Sequence, residues 1–210
     1  MPMACLRRSI DTSTTFRSVE ENGKELAELI VNRVKANRLL IVAHSRGGLV
    51  ARFSLNRLRK SYQGETYLYT FGTPHGGTPL VNIGGKALNL FFKLGEDITS
   101  SIPVMMPLTK AYSYLIDTPD LPPGIEVMRE NSEVLSVLNE FGDPDKVSSW
   151  ASNFDLRSGA SGFGVEVEGA LLGALSGVPH DLVVPTSSGL AFGTAQPVLA
   201  YSHLSTSLSP

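Results

Sequence analysis

Arg38-Leu39-Leu40-Ile41-Val42-Ala43-His44-Ser45-Arg46-Gly47-Gly48-Leu49-Val50-Ala51-Arg52-Phe53 is the stretch that decides the fold. Leu39 to Val42 is an unbroken apolar run, the pattern of a strand buried on both faces in a parallel sheet. Beyond the turn, Leu49, Val50, Phe53 and Leu58 are apolar, and Arg57, Arg59 and Lys60 supply cations suited to the negative end of a helix dipole. Strand, tight turn and helix follow one another with Ser45 at the tip. That is the setting in which a turn presents a serine as a nucleophile. Such a turn is strained, so small neighbours must let strand and helix approach. Gly47 supplies one, and Ala43 stands where glycine is usual.

Working outward, Ser18-Val19-Glu20-Glu21 has the form of a capping box, and Leu26, Leu29, Ile30 and Val34 follow with helical spacing. These residues predict a helix over Val19 to Ala36 ahead of the strand that ends at Ala43. Tyr67 to Phe71 is a second strand, closed by Gly72-Thr73-Pro74-His75-Gly76-Gly77. Ser132 to Leu138 predicts a short helix leading to a strand within Lys146 to Ala151. Ser158 to Gly164 is a Gly/Ser-rich stretch, Gln196 to Tyr201 a last strand, and the Ser/Pro-rich tail after it is expected to be loose. There are no internal repeats. Helices alternating with strands predict an α/β fold: a mostly parallel sheet covered by helices on both faces.

Composition sets the outer limits. With 210 residues, 42% hydrophobic and 18% charged, residues 1–210 are expected to form one domain with a substantial core. A net charge of -2 offers no electrostatic footprint for nucleic acid. The single Cys5 excludes an internal disulfide and suits a reducing, cytoplasmic setting. The most apolar candidate for a membrane span, Ala170 to Val178, is far too short. Met1 to Ile10 has two arginines but no apolar core of a secretion signal.

A serine hydroxyl becomes a useful nucleophile when a histidine takes its proton and a carboxylate fixes the imidazole. The chain has four histidines. His203, just after the last predicted strand, is the candidate base. Asp181, opening Asp181-Leu182-Val183-Val184-Pro185, is the candidate acid, with Asp155 as its competitor. His44 and His75 read as structural, one beside the turn and one hydrogen-bonded in a loop, and His180 reads as a solvated neighbour of Asp181. No metal-ligand spacing is present.

Ala43-His44-Ser45-Arg46-Gly47-Gly48-Leu49, Thr73-Pro74-His75-Gly76-Gly77-Thr78, Asp181-Leu182-Val183-Val184-Pro185 and His203 together resemble the lipase/esterase branch of the α/β-hydrolases, which includes triacylglycerol lipases and GPI-inositol-deacylase-like proteins. The resemblance covers most of the chain from Ser18 onward. It implies Ser45 as nucleophile, Asp181 as acid, His203 as base and the backbone N–H of Arg46 as one oxyanion donor. It further implies hydrolysis of a carboxylic ester, lipid-like or acyl, through an acyl-enzyme and without a cofactor. An acyltransferase or thioesterase would use the same triad, and a catalytically weak binding module would share the fold.

Residues 80–140 fall where this fold inserts a helical cap. There Phe91, Phe92, Met105, Met106 and Tyr112 either line an acyl pocket or pack onto the sheet. The resemblance departs at the front, as though N-terminally truncated. Proteins of this branch begin with a strand ending in a His-Gly-type loop that donates the second oxyanion N–H, and no such motif precedes Ser45. The run Leu39 to Val42 is then expected at an exposed sheet edge, open to a partner chain.

Overall fold

The computed structural model describes residues 17–83, 121–153, 177–181 and 183–200. The capping box forms as its spacing predicts: Glu21 N donates to Ser18 Oγ at 3.1 Å, and Ser18 N donates to Glu21 Oε2 at 3.0 Å. Helix α1 runs Val19–Arg33, ending three residues before Ala36 because Val34 turns extended. The backbone that follows serves the next strand: Ala36 O accepts from the Tyr62 hydroxyl at 2.6 Å and Asn37 O from Glu65 N at 2.8 Å.

Strand β1 (Arg38–His44), helix α2 (Arg46–Ser61) and strand β2 (Glu65–Phe71) come next. A 3-10 turn at Pro79–Ile83 follows. Further along are α3 (Pro123–Glu126), α4 (Glu133–Phe141), a 3-10 turn at Pro144–Lys146, β3 (Val147–Trp150), α5 (Thr186–Gly189) and β4 (Thr194–Ala195). Among the described residues the sheet has four parallel strands in the order β1-β2-β3-β4.

The last strand is displaced from its expected position. It pairs at Thr194–Ala195 and resumes as a single parallel bridge between Leu199 and Ser152. Between these points stands Pro197, which has no N–H to give a ladder. Gln196 N and Leu199 N donate to Ser149 O and Ala151 O on either side of it, each at 2.9 Å.

Register assigns the two faces of the sheet, because residues opposite one another in neighbouring strands point the same way. Leu39, Ile41 and Ala43 of β1, Leu68 of β2 and Val147 of β3 meet Ala27 and Ile30 of α1 and Ala51, Leu55 and Leu58 of α2. A second cluster joins Val19 and Leu49 to Val81, Val127, Met128, Leu135 and Leu138, so α4 is anchored against α2. On the opposite face Phe71 stacks on Trp150 with centroids 4.9 Å apart, and Tyr69 meets Trp150 edge-on at 5.2 Å.

One expectation is corrected here. Strand β1 is not buried on both faces: it is the edge strand among the described residues, with Leu40 52% and Val42 63% exposed. The expectation of an edge position for Leu39 to Val42 is the one that holds. Phe91, Phe92, Met105, Met106, Tyr112, the Gly/Ser-rich stretch, Asp155, Tyr201, His203 and the first ten residues lie outside the described residues.

The two faces of the sheet should respond differently to substitution. Leu68→Ala, at a fully buried position, is expected to lower unfolding free energy by about 2–5 kcal/mol, while Val42→Thr should change it by no more than about 0.5 kcal/mol. Urea denaturation of the two variants beside the parent checks this.

Candidate functional site

Ser45 is the residue between β1 and the first turn of α2, with φ 54° and ψ -137°. A non-glycine residue in such a region costs on the order of 1–3 kcal/mol and persists only where its surroundings over-determine it. Three hydrogen bonds do so here. Ser45 N donates to Phe71 O at 2.9 Å, extending the pairing of β1 with β2. Ser45 O accepts from Gly48 N at 2.9 Å and from Thr73 Oγ1 at 2.9 Å. A serine at a helix start ordinarily caps an amide of the first turn. The Ser45 side chain makes no such bond.

The close approach the turn needs occurs at Gly48, where a Cβ would overlap the Thr73 side chain. Arg46 opens α2, among the amides that leave a helix at its positive end. Its side chain is buried, and burial lowers its pKa.

Thr73 belongs to a loop fixed from beneath by His75. The imidazole is fully buried. Its Nδ1 lies 3.1 Å from Arg52 Nη1, and its Nε2 lies 3.0 Å from Thr70 Oγ1 and 3.2 Å from Ser149 Oγ. A guanidinium only donates, so Nδ1 is the acceptor and the ring is neutral with its proton on Nε2. The direction of the remaining bonds then follows. Nε2–H donates to Thr70 Oγ1, Thr70 donates to Ser149 Oγ at 2.9 Å, and Ser149 donates to Phe192 O at 2.7 Å. Burial first, and the Arg52 charge second, hold the His75 pKa well below its usual value.

Arg52 divides its fork between His75 and Leu138 O, the latter at 2.6 Å, and lies 3.4 Å over the Phe192 ring. Burial brings its pKa down to about 9, so it remains a cation at neutral pH. Leu138 O belongs to the last turn of α4, where carbonyls lack helical partners and the dipole is negative.

The same loop reaches Asp181. Gly76 N donates to Ser188 Oγ at 3.1 Å, and Ser188 Oγ donates to Gly77 O at 2.6 Å. Thr78 Oγ1 donates to Val183 O at 2.5 Å. Gly77, at φ 88°, passes so close to the Glu130 backbone that a side chain would not fit. Asp181 is buried, and its Oδ1 accepts from Val183 N at 3.0 Å and Val184 N at 2.7 Å. A carboxylate held by its own turn has one defined plane, the property an imidazole-orienting acid needs.

Of the residues expected to form the site, Ser45 and Arg46 sit together at the turn, and Asp181 is joined to them through Val183, Thr78 and the Thr73 loop. His203, and Asp155 as the competitor of Asp181 for the acid position, lie outside the described residues. His75 is a hydrogen-bonded structural residue, as expected, its ring tied to α2, β2 and β3. His180 is buried rather than solvated: its backbone bridges Pro185, and burial lowers its pKa against the opposing pull of Asp181. Sequence inspection missed Arg52, although a signal exists. It lies three residues from both Leu49 and Leu55, on the apolar stripe of α2.

The chain belongs to the family described as Domain of unknown function (DUF7379), which matches residues 9–208. No curated protein sequence matches it. Among solved structures it is similar to the Bacillus licheniformis lipase BlEst2 in mature form, at 18% identity and a TM-score of 0.56 over 90% of this chain and 69% of the lipase. It is also similar to phospholipase PlaB from Legionella pneumophila, at 14% identity and a TM-score of 0.52 over 82% of this chain and 34% of the phospholipase. At these identities the likeness establishes the fold, an α/β-hydrolase architecture shared with bacterial lipases and phospholipases.

The buried imidazole sets a pH dependence. A histidine whose pKa is depressed in the folded state binds fewer protons there than in the unfolded chain. Its contribution is complete above about pH 6.5 and is lost as pH falls below that value. Unfolding free energy is therefore expected to decline below about pH 6.5 by up to about 1.4 kcal/mol per pH unit from His75. His180 adds in the same direction. His75→Asn should reduce that slope, as measured by urea denaturation at a series of pH values.

Proposed function

We propose that this chain is a serine hydrolase that cleaves carboxylic esters of lipid or acyl type. The observation that carries this reading is the backbone of Ser45, held at positive φ between β1 and α2 while its side chain makes no capping bond to the helix. Left-handed strain at a strand-to-helix turn is the arrangement that exposes a nucleophilic hydroxyl.

In this reading Ser45 Oγ attacks the ester carbonyl carbon as its proton passes to the His203 imidazole. The carbonyl oxygen becomes an oxyanion, and the Arg46 N–H at the positive end of α2 donates to it. Collapse breaks the bond to the alcohol, which leaves with the proton from His203, and the acyl group stays on Ser45. Water then repeats the sequence, losing its proton to His203 and freeing the carboxylic acid. Asp181 orients the imidazole and stabilises its cation. The two backbone amides on Oδ1 favour Asp181 as this acid, since they fix its carboxylate beside a loop tied to the Ser45 turn.

Oxyanion donors set the rate: each is worth about 2.7–4 kcal/mol, on the order of a hundred- to thousandfold. A second reading, a hydrolase-fold module that binds a partner chain and turns over slowly, is favoured by the exposed Leu40 and Val42 on the β1 edge.

A fluorophosphonate probe read by intact mass tests the hydrolase. One adduct is expected, absent from Ser45→Ala and slowed by Asp181→Asn. A folded protein that takes no label would set the ester-hydrolase reading aside in favour of the binding module.

A further inference from the structure

We propose that His75 is a positioning residue for Ser45: clamped between Arg52 and Thr70, it holds the turn from which the Thr73 hydroxyl grips the Ser45 carbonyl. The reading of Ser45 as nucleophile gives this role its consequence, but the geometry stands apart from it. The path is short and continuous. His75 N donates to Thr73 O at 2.8 Å, so the anchored residue and the gripping residue close one turn. Thr73 Oγ1 then donates to Ser45 O, the same oxygen that receives Gly48 N. Asn139 Nδ2 donates to His75 O at 3.2 Å, bracing the loop from α4 on its other side.

His75 bonds Thr73, and Thr73 bonds the Ser45 carbonyl, so the path from the buried ring to the turn runs through Thr73. Arg52 of α2 is the charged side chain that meets its ring; β2 and β3 offer it the Thr70 and Ser149 hydroxyls. A ring enclosed in this way has no route to a substrate. What it supplies is a fixed floor for a loop that must withstand the strain at Ser45. Gly48 belongs to the same device, since a side chain there would push Thr73 off the carbonyl.

The test compares Thr73→Val, Thr73→Ser, His75→Gln and the Thr73→Val/His75→Gln double variant in the full chain. Two readouts are taken: amide hydrogen exchange over residues 45–48 and the rate of fluorophosphonate labelling. Thr73→Val and His75→Gln are each expected to speed exchange at the turn and slow labelling by about tenfold. The double variant should lose no more than the worse single, because both act along one path. Thr73→Ser, which keeps the hydroxyl, should match the parent. Leu68→Ala controls for general destabilisation and should leave labelling of the folded protein unchanged.

Parent-like exchange at the turn in folded His75→Gln, or losses that add in the double variant, would overturn the proposal. If His75→Gln does not fold, Arg52→Lys, which keeps the charge but cannot fork to both His75 and Leu138, is judged by the same criteria. A parent protein that takes no label removes the nucleophile reading alone, and the exchange comparison still decides the role of His75.

Discussion

The buried cation of Arg52 ties together three distant segments of the described structure. Arg52 leaves the core-facing stripe of α2 and reaches three partners that sequence places far apart: His75, the carbonyl of Leu138 and the ring of Phe192. Among the described residues no carboxylate is paired with it, and its Nε is buried without a hydrogen-bond partner. Burying a charge is expensive unless dipoles and lone pairs replace water. Here the replacements are the negative end of α4, an imidazole nitrogen and an aromatic face. The planar fork of arginine serves all three at once, where a lysine would serve one.

That choice dictates the protonation of His75. An imidazolium would set a second positive charge beside Arg52 and remove the lone pair that Arg52 Nη1 uses. With the ring neutral, hydroxyl directions are fixed through Thr70 and Ser149 to the carbonyl of Phe192, so one polar path crosses from helix to loop to two adjacent strands. Gly142 completes the enclosure, because a side chain there would collide with Phe192. The network lies directly under the loop that touches Ser45. Stability and site geometry therefore share the same bonds.

Much of this was legible in the sequence, and the boundary of legibility is physical. The capping box at Ser18 and Glu21 and the strand-turn-helix around Ser45 are written in local spacing, and both form where expected. The burial of β1 was not legible, because an apolar run states that a strand can be buried but not which faces find a partner. Pro197 announced a break that the expected strand from Gln196 to Tyr201 did not respect. Arg52 and His180 were missed for a common reason. Polar residues are assigned to water unless a tertiary partner is known, and their partners come from distant segments. The motif at Asp181 stands out in the sequence, yet the two amides that fix its carboxylate depend on how its own turn closes.

The strain at Ser45 shows how local and distant determinants divide the work. Glycine at position 45 would adopt the same backbone at lower energy, but it would carry no hydroxyl. A serine there must be forced into place, and the forces are non-local: the carbonyl of Phe71 from β2 and the hydroxyl of Thr73 from the following loop. Gly48 is small so that Thr73 can approach, Thr73 is held by His75, and His75 is held by Arg52 of the very helix that Ser45 begins. The loop of constraints closes on itself. Loosening any member shifts the strained turn toward an ordinary helix start, in which a serine hydroxyl would fold back onto the first-turn amides. One network thus holds Ser45 in its strained backbone at the start of α2.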